Sequence, residues 1–178
     1  MWIFFYGLLL LGVGSFAYAS LRAAPWVPLR RQDVKRAVAL IAVKPGMIVY
    51  DFGCGDGRIL AAAAQQGAIA RGYEISLFPY LLARFRQIAR SVRSDKSAYG
   101  SMDVRLRDFW FCNLRDADVV FLFLMPKVLP KMRAKLEAEL KAGSRVISYV
   151  WPIEGWTPSI VDESEGYPKL FVYNRQGP

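Results

Sequence analysis

Three features of this sequence predict an α/β fold, a single domain around an open, mostly parallel sheet with an antiparallel edge. Short apolar runs alternate with helical stretches from Gln32 to Val150. A glycine-rich turn, Asp51 to Gly57, follows the first of those runs directly. Two further apolar runs come late in the chain with no helix between them. Alternating strands and helices pack as parallel strands with helices on both faces. A length of 178 residues suits one domain with a core and is too short for two substantial ones.

Each element has its own local signal. Gln32 to Val43 places Val34, Ala37, Val38, Ile41 and Ala42 on one helical stripe, and Lys44-Pro45-Gly46 ends it. Met47 to Asp51 is a short apolar run of buried-strand type that leads into the glycine turn. Arg58 to Gln66, stopped by Gly67, is a helix by propensity and terminal glycine. Ala68 to Glu74 reads as a second strand, and Leu77 to Arg93 as a long basic amphipathic helix with Pro79 in its first turn. Met102 to Leu106 makes a third strand, and Ala117 to Leu124 a fourth, apolar enough for burial on both faces. A helix over Pro126 to Lys141 precedes a fifth strand, Arg145 to Val150. Ser159 to Asp162 and Leu170 to Asn174 close the edge as antiparallel strands.

In front of this domain, Met1 to Leu21 has no charged side chain. As a helix it runs about 31 Å, the thickness of a bilayer's hydrocarbon core. Trp2, Tyr6 and Trp26 suit interfacial positions at its two ends. A single transmembrane anchor is the expectation. A cleaved signal (Ala17-Tyr18-Ala19 resembles a peptidase site) and a buried helix are the alternatives, but a signal normally opens with basic residues. The domains expected are therefore an anchor over 1–21, a basic linker and helix over 22–44, and the α/β domain over 45–178.

Arg22, Arg30, Arg31, Lys35, Arg36 and Lys44 follow the span, against Asp33 alone, so the domain should face the cytoplasm. Residues 22–44 should also meet anionic lipid headgroups. The lack of an Arg/Ser-rich presequence favours a prokaryotic inner membrane, with the mitochondrial inner membrane as alternative. The net charge of +9 has no nucleic-acid motif to go with it. With no histidine and only Cys54 and Cys112, the chain carries no histidine-based hydrolytic triad and no metal-ligand spacing. No metal is expected.

The turn Asp51-x-Gly53-x-Gly55-x-Gly57 differs from a dinucleotide fingerprint, because Arg58 stands where its third glycine belongs. It is no P-loop either, since no Gly-Lys-Ser/Thr follows. Glycines let backbone approach a ligand without a Cβ between them. Glu74, ending the second strand, can accept hydrogen bonds from both ribose hydroxyls of an adenosine. Ile75 can pack on adenine. Asp108, backed by Phe109, falls within reach of its exocyclic amine.

Together, the Asp51–Gly57 turn, Glu74 and Asp108 resemble the nucleoside-binding motifs of class I, Rossmann-like S-adenosylmethionine-dependent methyltransferases. That resemblance implies S-adenosyl-L-methionine as cofactor, with Asp51, Gly53, Cys54, Gly55, Gly57, Glu74, Ile75, Asp108 and Phe109 around it. The apolar N-terminus, "DFGCGDGRIL", "RDFW", "LEAEL" and "GSRVISYVWPIEGWTP" further resemble a small membrane-anchored protein-lysine methyltransferase family. Its mitochondrial members modify the ATP synthase c-subunit or the adenine nucleotide translocase. Phe52 and Cys54 depart from the leucine and serine usual in that turn.

On the acceptor side, Leu124-Met125-Pro126-Lys127 lacks the Asn/Asp-Pro-Pro-aromatic motif that orients planar amines. An apolar slot built from Met125, Pro126, Tyr149, Trp151 and Trp156 would favour a neutral lysine amine. The same aromatics serve equally well as core or edge packing. No residue is assigned as a general base. A lysine of a membrane-associated protein is the expected acceptor. A lipid headgroup or small amine, and a non-catalytic S-adenosylmethionine-fold module, are the competing readings.

Overall fold

The computed structural model describes residues 26–93 and 100–176 and, among the first 25, Trp2, Phe4, Tyr6, Gly7, Leu10 and Gly14. The expected anchor therefore falls mostly outside the described residues. Among those residues, no helix is long and apolar enough to cross a membrane.

The elements are α1 (Arg31–Ile41), β1 (Ile48–Phe52), α2 (Arg58–Gln65), β2 (Ile69–Glu74), α3 (Leu77–Arg93) and β3 (Ser101–Leu106). They continue with β4 (Val119–Leu122), α4 (Leu129–Glu139), β5 (Arg145–Tyr149), β6 (Ile160–Asp162) and β7 (Leu170–Asn174). The sheet runs in the order β3-β2-β1-β4-β5-β7-β6. Neighbours from β3 to β5 pair in parallel, while β7 runs antiparallel to both β5 and β6. The parallel sheet and antiparallel edge expected from the sequence are both present.

Alternation along the central strands divides the core between the two faces. Val49, Val119, Phe121 and Ile147 pack with Val38, Ile41 and Leu60 of the α1 and α2 side. Tyr50, Phe52, Val120 and Leu122 pack with Met132, Leu136 and Tyr173 on the α4 side. β4 is buried at all four positions, as expected for a strand covered on both faces.

Two boundaries differ from expectation for identifiable reasons. The helix expected from Pro126 starts as a 3-10 turn over Pro126–Val128 and becomes α-helical only at Leu129. It ends at Glu139 because Leu140 turns to extended backbone. β4 is shorter than the apolar run: Asp118, just before it, bonds Ile48 and Arg145 through its backbone, while its carboxylate accepts from the Ile48 N–H at 2.8 Å and pairs with Lys141. Phe123 and Leu124 lie past its carboxyl end and line the site.

A buried ion network ties α1 to the antiparallel edge. Arg36 donates to Asp33 at 3.0 Å, to Asp162 at 3.0 Å and to the Pro168 carbonyl at 3.1 Å. Asp33 has no exposed surface. Such a network fixes where the segment before α1 meets the sheet, which matters for the site.

Candidate active site

β1 and β4 are neighbours, yet the chain leaves β1 for β2 on its other side. The carboxyl ends of β1 and β4 thus form the switch point at which an open α/β sheet takes its ligand. The glycine turn lies there. The N–H groups of Gly53 and Cys54 both donate to the Tyr73 carbonyl, at 2.9 and 3.1 Å. Gly57 N–H closes the turn on the Cys54 carbonyl at 2.8 Å.

The glycines of this turn do different work. Gly55 has φ +55, and a Cβ on it would meet the Trp26 indole at 2.7 Å. Gly57 has φ +73, and a Cβ there would meet Met102 at 2.6 Å and Ala83 at 3.2 Å. Gly55 therefore allows a close approach above the turn, whereas Gly57 lets α2 and α3 pack together.

Glu74, at the end of β2, points back into this turn. One carboxylate oxygen accepts from Gly55 N–H at 2.9 Å; the other accepts from Ile75 and Ser76 N–H at 2.9 and 2.8 Å. Burial pushes its pKa above the usual range, against the pull of those three N–H groups. Asp51 is buried beside it, and burial together with the charges of Glu74 and Asp56 raises its pKa well above normal. Asp56 is gripped by Arg58, with contacts of 2.9 and 3.1 Å, and by Arg86 at 3.0 Å.

A cavity of about 60 Å³ lies over the turn, bounded by Asp51, Gly53, Gly55, Glu74, Ile75 and Phe109. Cys54 lines it as well, its thiol held protonated by burial. Its other wall was not foreseen. Trp26, Val27, Pro28 and Leu29 cross over the turn as a strap, and Phe121, Phe123 and Leu124 close the far side. The Leu29 carbonyl accepts from Arg58, so the residue after Gly57 locks the strap down. Trp26, expected at a membrane interface, stands on Gly55.

Two expected cofactor residues do not line the cavity. Gly57 is occupied by helix packing. Asp108 caps the 3-10 turn Phe109–Phe111, accepting from Trp110 N–H at 3.0 Å, while Phe109 faces the cavity. The five residues expected at the acceptor slot also lie off the cavity. Tyr149 is buried against Phe123, with ring centroids 4.8 Å apart, so it backs a wall instead of forming one. Trp156 donates its indole N–H to Glu137 at 2.8 Å and packs on Tyr173. Met125 and Trp151 are surface-exposed, and Pro126 lines a separate groove with Pro152 and Arg133.

The residues present suit a positively charged nucleoside. Asp51 and Glu74 supply negative potential close to the glycine backbone. The Glu74 oxygen that accepts only from Gly55 N–H retains a lone pair for a hydroxyl donor, and Ile75 and Phe109 offer apolar faces. A family model for the ANTKMT methyltransferase domain matches residues 51–160, more than half of the chain. The chain belongs to that family. The cofactor expected from the sequence, S-adenosylmethionine, is the one that goes with it.

Three similar proteins carry the comparison further. A mouse adenine nucleotide translocase lysine N-methyltransferase is 37% identical over 154 residues, covering 86% of this chain and 64% of the mouse protein. A Saccharolobus islandicus protein-lysine N-methyltransferase is 32% identical, covering 84% of this chain and 91% of the archaeal one. A solved RNA methyltransferase from Salinibacter ruber, in complex with S-adenosyl-L-homocysteine, superposes with a TM-score of 0.76 at 29% identity. It covers 85% of this chain and 95% of that one. This chain spans 58 to 66% of the length of the rodent relatives it matches.

Proposed function

We propose that this chain is an S-adenosylmethionine-dependent methyltransferase that acts on a lysine side chain of a membrane-associated protein. The observation that carries the reading is the match to an archaeal protein-lysine N-methyltransferase along nearly the full length of both chains. The acidic glycine turn supports it from the chemical side.

S-adenosylmethionine, when bound, supplies an electrophilic methyl on a sulfonium. The chain's own residues bind, orient and exclude water. Asp51 and Glu74 hold negative potential where the cofactor's positive groups belong, and the Glu74 oxygen facing Gly55 offers an acceptor to a ribose hydroxyl. Gly53 and Gly55 present backbone without side chains. Positioning a nucleophile in line supplies much of the catalysis in methyl transfer. Phe121, Phe123 and Leu124 make an apolar approach that favours the neutral amine of lysine over its ammonium form. The Trp26–Leu29 strap covers the turn, and its indole would have to move aside to hold a ligand of this size, which needs several hundred Å³.

Membrane association is the second half of the proposal. It rests on the 21 uncharged residues at the start of the chain, where Trp2, Phe4, Tyr6 and Leu10 are exposed. Arg22, Arg30, Arg31, Lys35 and Arg36 follow that stretch and favour a cytoplasmic domain and anionic headgroups. A prokaryotic inner membrane is the proposed host, and tethering raises the local concentration of membrane-embedded acceptors.

RNA is a second acceptor class, favoured by the likeness to the Salinibacter RNA methyltransferase and by the net charge of +9. Incubating isolated membranes and total RNA with methyl-labelled cofactor separates the readings. Label in a membrane protein band is expected. Label in the lipid extract or in RNA, or no transfer at all, contradicts the proposal.

A further inference from the structure

The outer face of α3 is the least expected surface of the molecule. Phe78, Leu81, Leu82, Phe85, Ile88 and Val92 are all exposed, Phe85 to 73% and Val92 to 81%. At 100° per residue they fall within an arc of about 120°, one continuous stripe along the helix. In a soluble domain such a stripe normally faces the core. Here the core-facing positions are filled by other residues: Ala83 is fully buried and Gln87 accepts from the Val104 N–H at 3.2 Å.

Charge borders this stripe on both sides. The 17 residues of α3 include Arg84, Arg86, Arg90 and Arg93 and no acidic residue. By the same helical geometry, Arg84 flanks one edge and Arg86 and Arg90 the other. Arg86 and Arg90 reach inward, to the Asp56 carbonyl at 2.9 Å and the Ala61 carbonyl at 3.1 Å, which keeps their charge beside the domain surface. An apolar stripe with Arg84 at one edge and Arg86 and Arg90 at the other is the arrangement of a helix lying in a lipid–water interface.

We propose that α3 is an interfacial helix that docks this domain on an anionic bilayer surface, with Phe78, Leu81, Phe85, Ile88 and Val92 sunk among the acyl chains. Charge complementarity selects anionic lipid as the occupant: the helix carries four arginines and no carboxylate, and although Arg86 pairs with Asp56 of the glycine turn at 3.0 Å, the remaining positive charge suits phosphate headgroups and opposes a basic partner. The inference goes beyond tethering by the N-terminus, though it rests on the reading of this protein as membrane-associated. It also links the two. Trp26, the first residue of the strap, meets Phe78 at the start of α3 edge-on, with ring centroids 5.8 Å apart. Docking α3 would therefore set the cofactor strap, with Val27 also exposed, beside the headgroup layer.

The test uses the full chain with an environment-sensitive fluorophore at Phe85→Cys, and the same probe at Glu165→Cys, exposed in the turn between β6 and β7. Cys54 and Cys112 are buried, and the unsubstituted chain gives the labelling blank. Vesicles of phosphatidylcholine with phosphatidylglycerol carry bromine-labelled acyl chains as quencher; phosphatidylcholine alone is the comparison. Strong quenching at position 85 and none at 165, stronger in the anionic vesicles and reduced several-fold by Arg84→Glu, is the expected result. Protein that sediments with the vesicles while position 85 stays unquenched overturns the docking of α3 but leaves the tether intact. Protein that does not sediment at all overturns both. Shielding of position 85 without lipid, growing with protein concentration alongside a doubled mass, overturns the proposal in favour of a second copy of the chain.

Discussion

Glu74 is the residue on which the proposed cofactor binding turns. Its three backbone N–H donors, from Gly55, Ile75 and Ser76, fix the carboxylate before any ligand arrives. Glu74→Ala removes that acceptor and frees three donors near the turn, so S-adenosylhomocysteine affinity by calorimetry should fall by roughly a hundredfold. Gly55→Val should do the same through its φ of +55 and the loss of the space above it. Retained thermal unfolding cooperativity in both variants would place the loss in the site and not in the fold.

The raised pKa values of Asp51 and Glu74 set a pH signature. Both carboxyls hold their protons to higher pH in the folded domain than in the unfolded chain. Without ligand, each therefore contributes most to stability below its unfolded pKa, and stability declines as pH rises through the folded value. A positively charged ligand prefers the ionised forms. Binding should release protons, and affinity should fall on acidification from a pH above the ordinary carboxylate range. Titration in two buffers of different ionisation enthalpy measures this; a buffer-independent heat would contradict it. Glu74 and the glycines were legible in the sequence, because spacing alone puts an acid at the end of the strand beside the turn. The capping role of Asp108 was not. A carboxylate preceding a turn looks the same whether it faces a ligand or a backbone N–H.

At the level of elements, the strap over Trp26–Leu29 is the feature that the sequence hid. It falls in the stretch read as a basic linker, and nothing in local pattern reveals that Arg58 reaches the Leu29 carbonyl or that an indole stands on Gly55. Long-range contacts of this kind leave no periodicity to read. If the cofactor displaces Trp26, S-adenosylhomocysteine should change the tryptophan emission of the wild-type chain, and most of that change should vanish in Trp26→Phe. An unaltered change in the variant would assign it to another tryptophan. The helix at Arg31–Ile41 was legible from its apolar stripe, but its anchorage was not: Arg36 joins residues 126 positions apart. Arg36→Ala leaves Asp33 buried without its countercharge and should cost about 3 kcal/mol or more in chemical denaturation. A loss under about 1 kcal/mol would mean that the network contributes little. Val150, at φ +75 just past β5, is a further local surprise, since a β-branched residue in that region carries no sequence mark.

For the molecule as a whole, the order of apolar runs and helices was sufficient to foresee a parallel sheet and an antiparallel edge. The sheet order β3-β2-β1-β4-β5-β7-β6 follows from right-handed crossovers on either side of β1, with the last hairpin added at the far edge. The acceptor side was less legible. Aromatic residues past β5 suit a slot and core packing equally well, and Trp156 took the second course by bonding Glu137 and packing edge-on against Tyr173. The wall across the cavity from the strap comes instead from Phe121, Phe123 and Leu124, whose apolar character in the sequence is explained by strand burial alone.

Amino-acid analysis of the labelled membrane protein, after transfer from methyl-labelled S-adenosylmethionine and complete hydrolysis, tests the central claim most directly. The account predicts radioactive Nε-methyllysine in a membrane-protein band with the wild-type chain and none with Glu74→Ala. Label recovered on any other residue, in lipid or in RNA, or equal label with the variant, would contradict it.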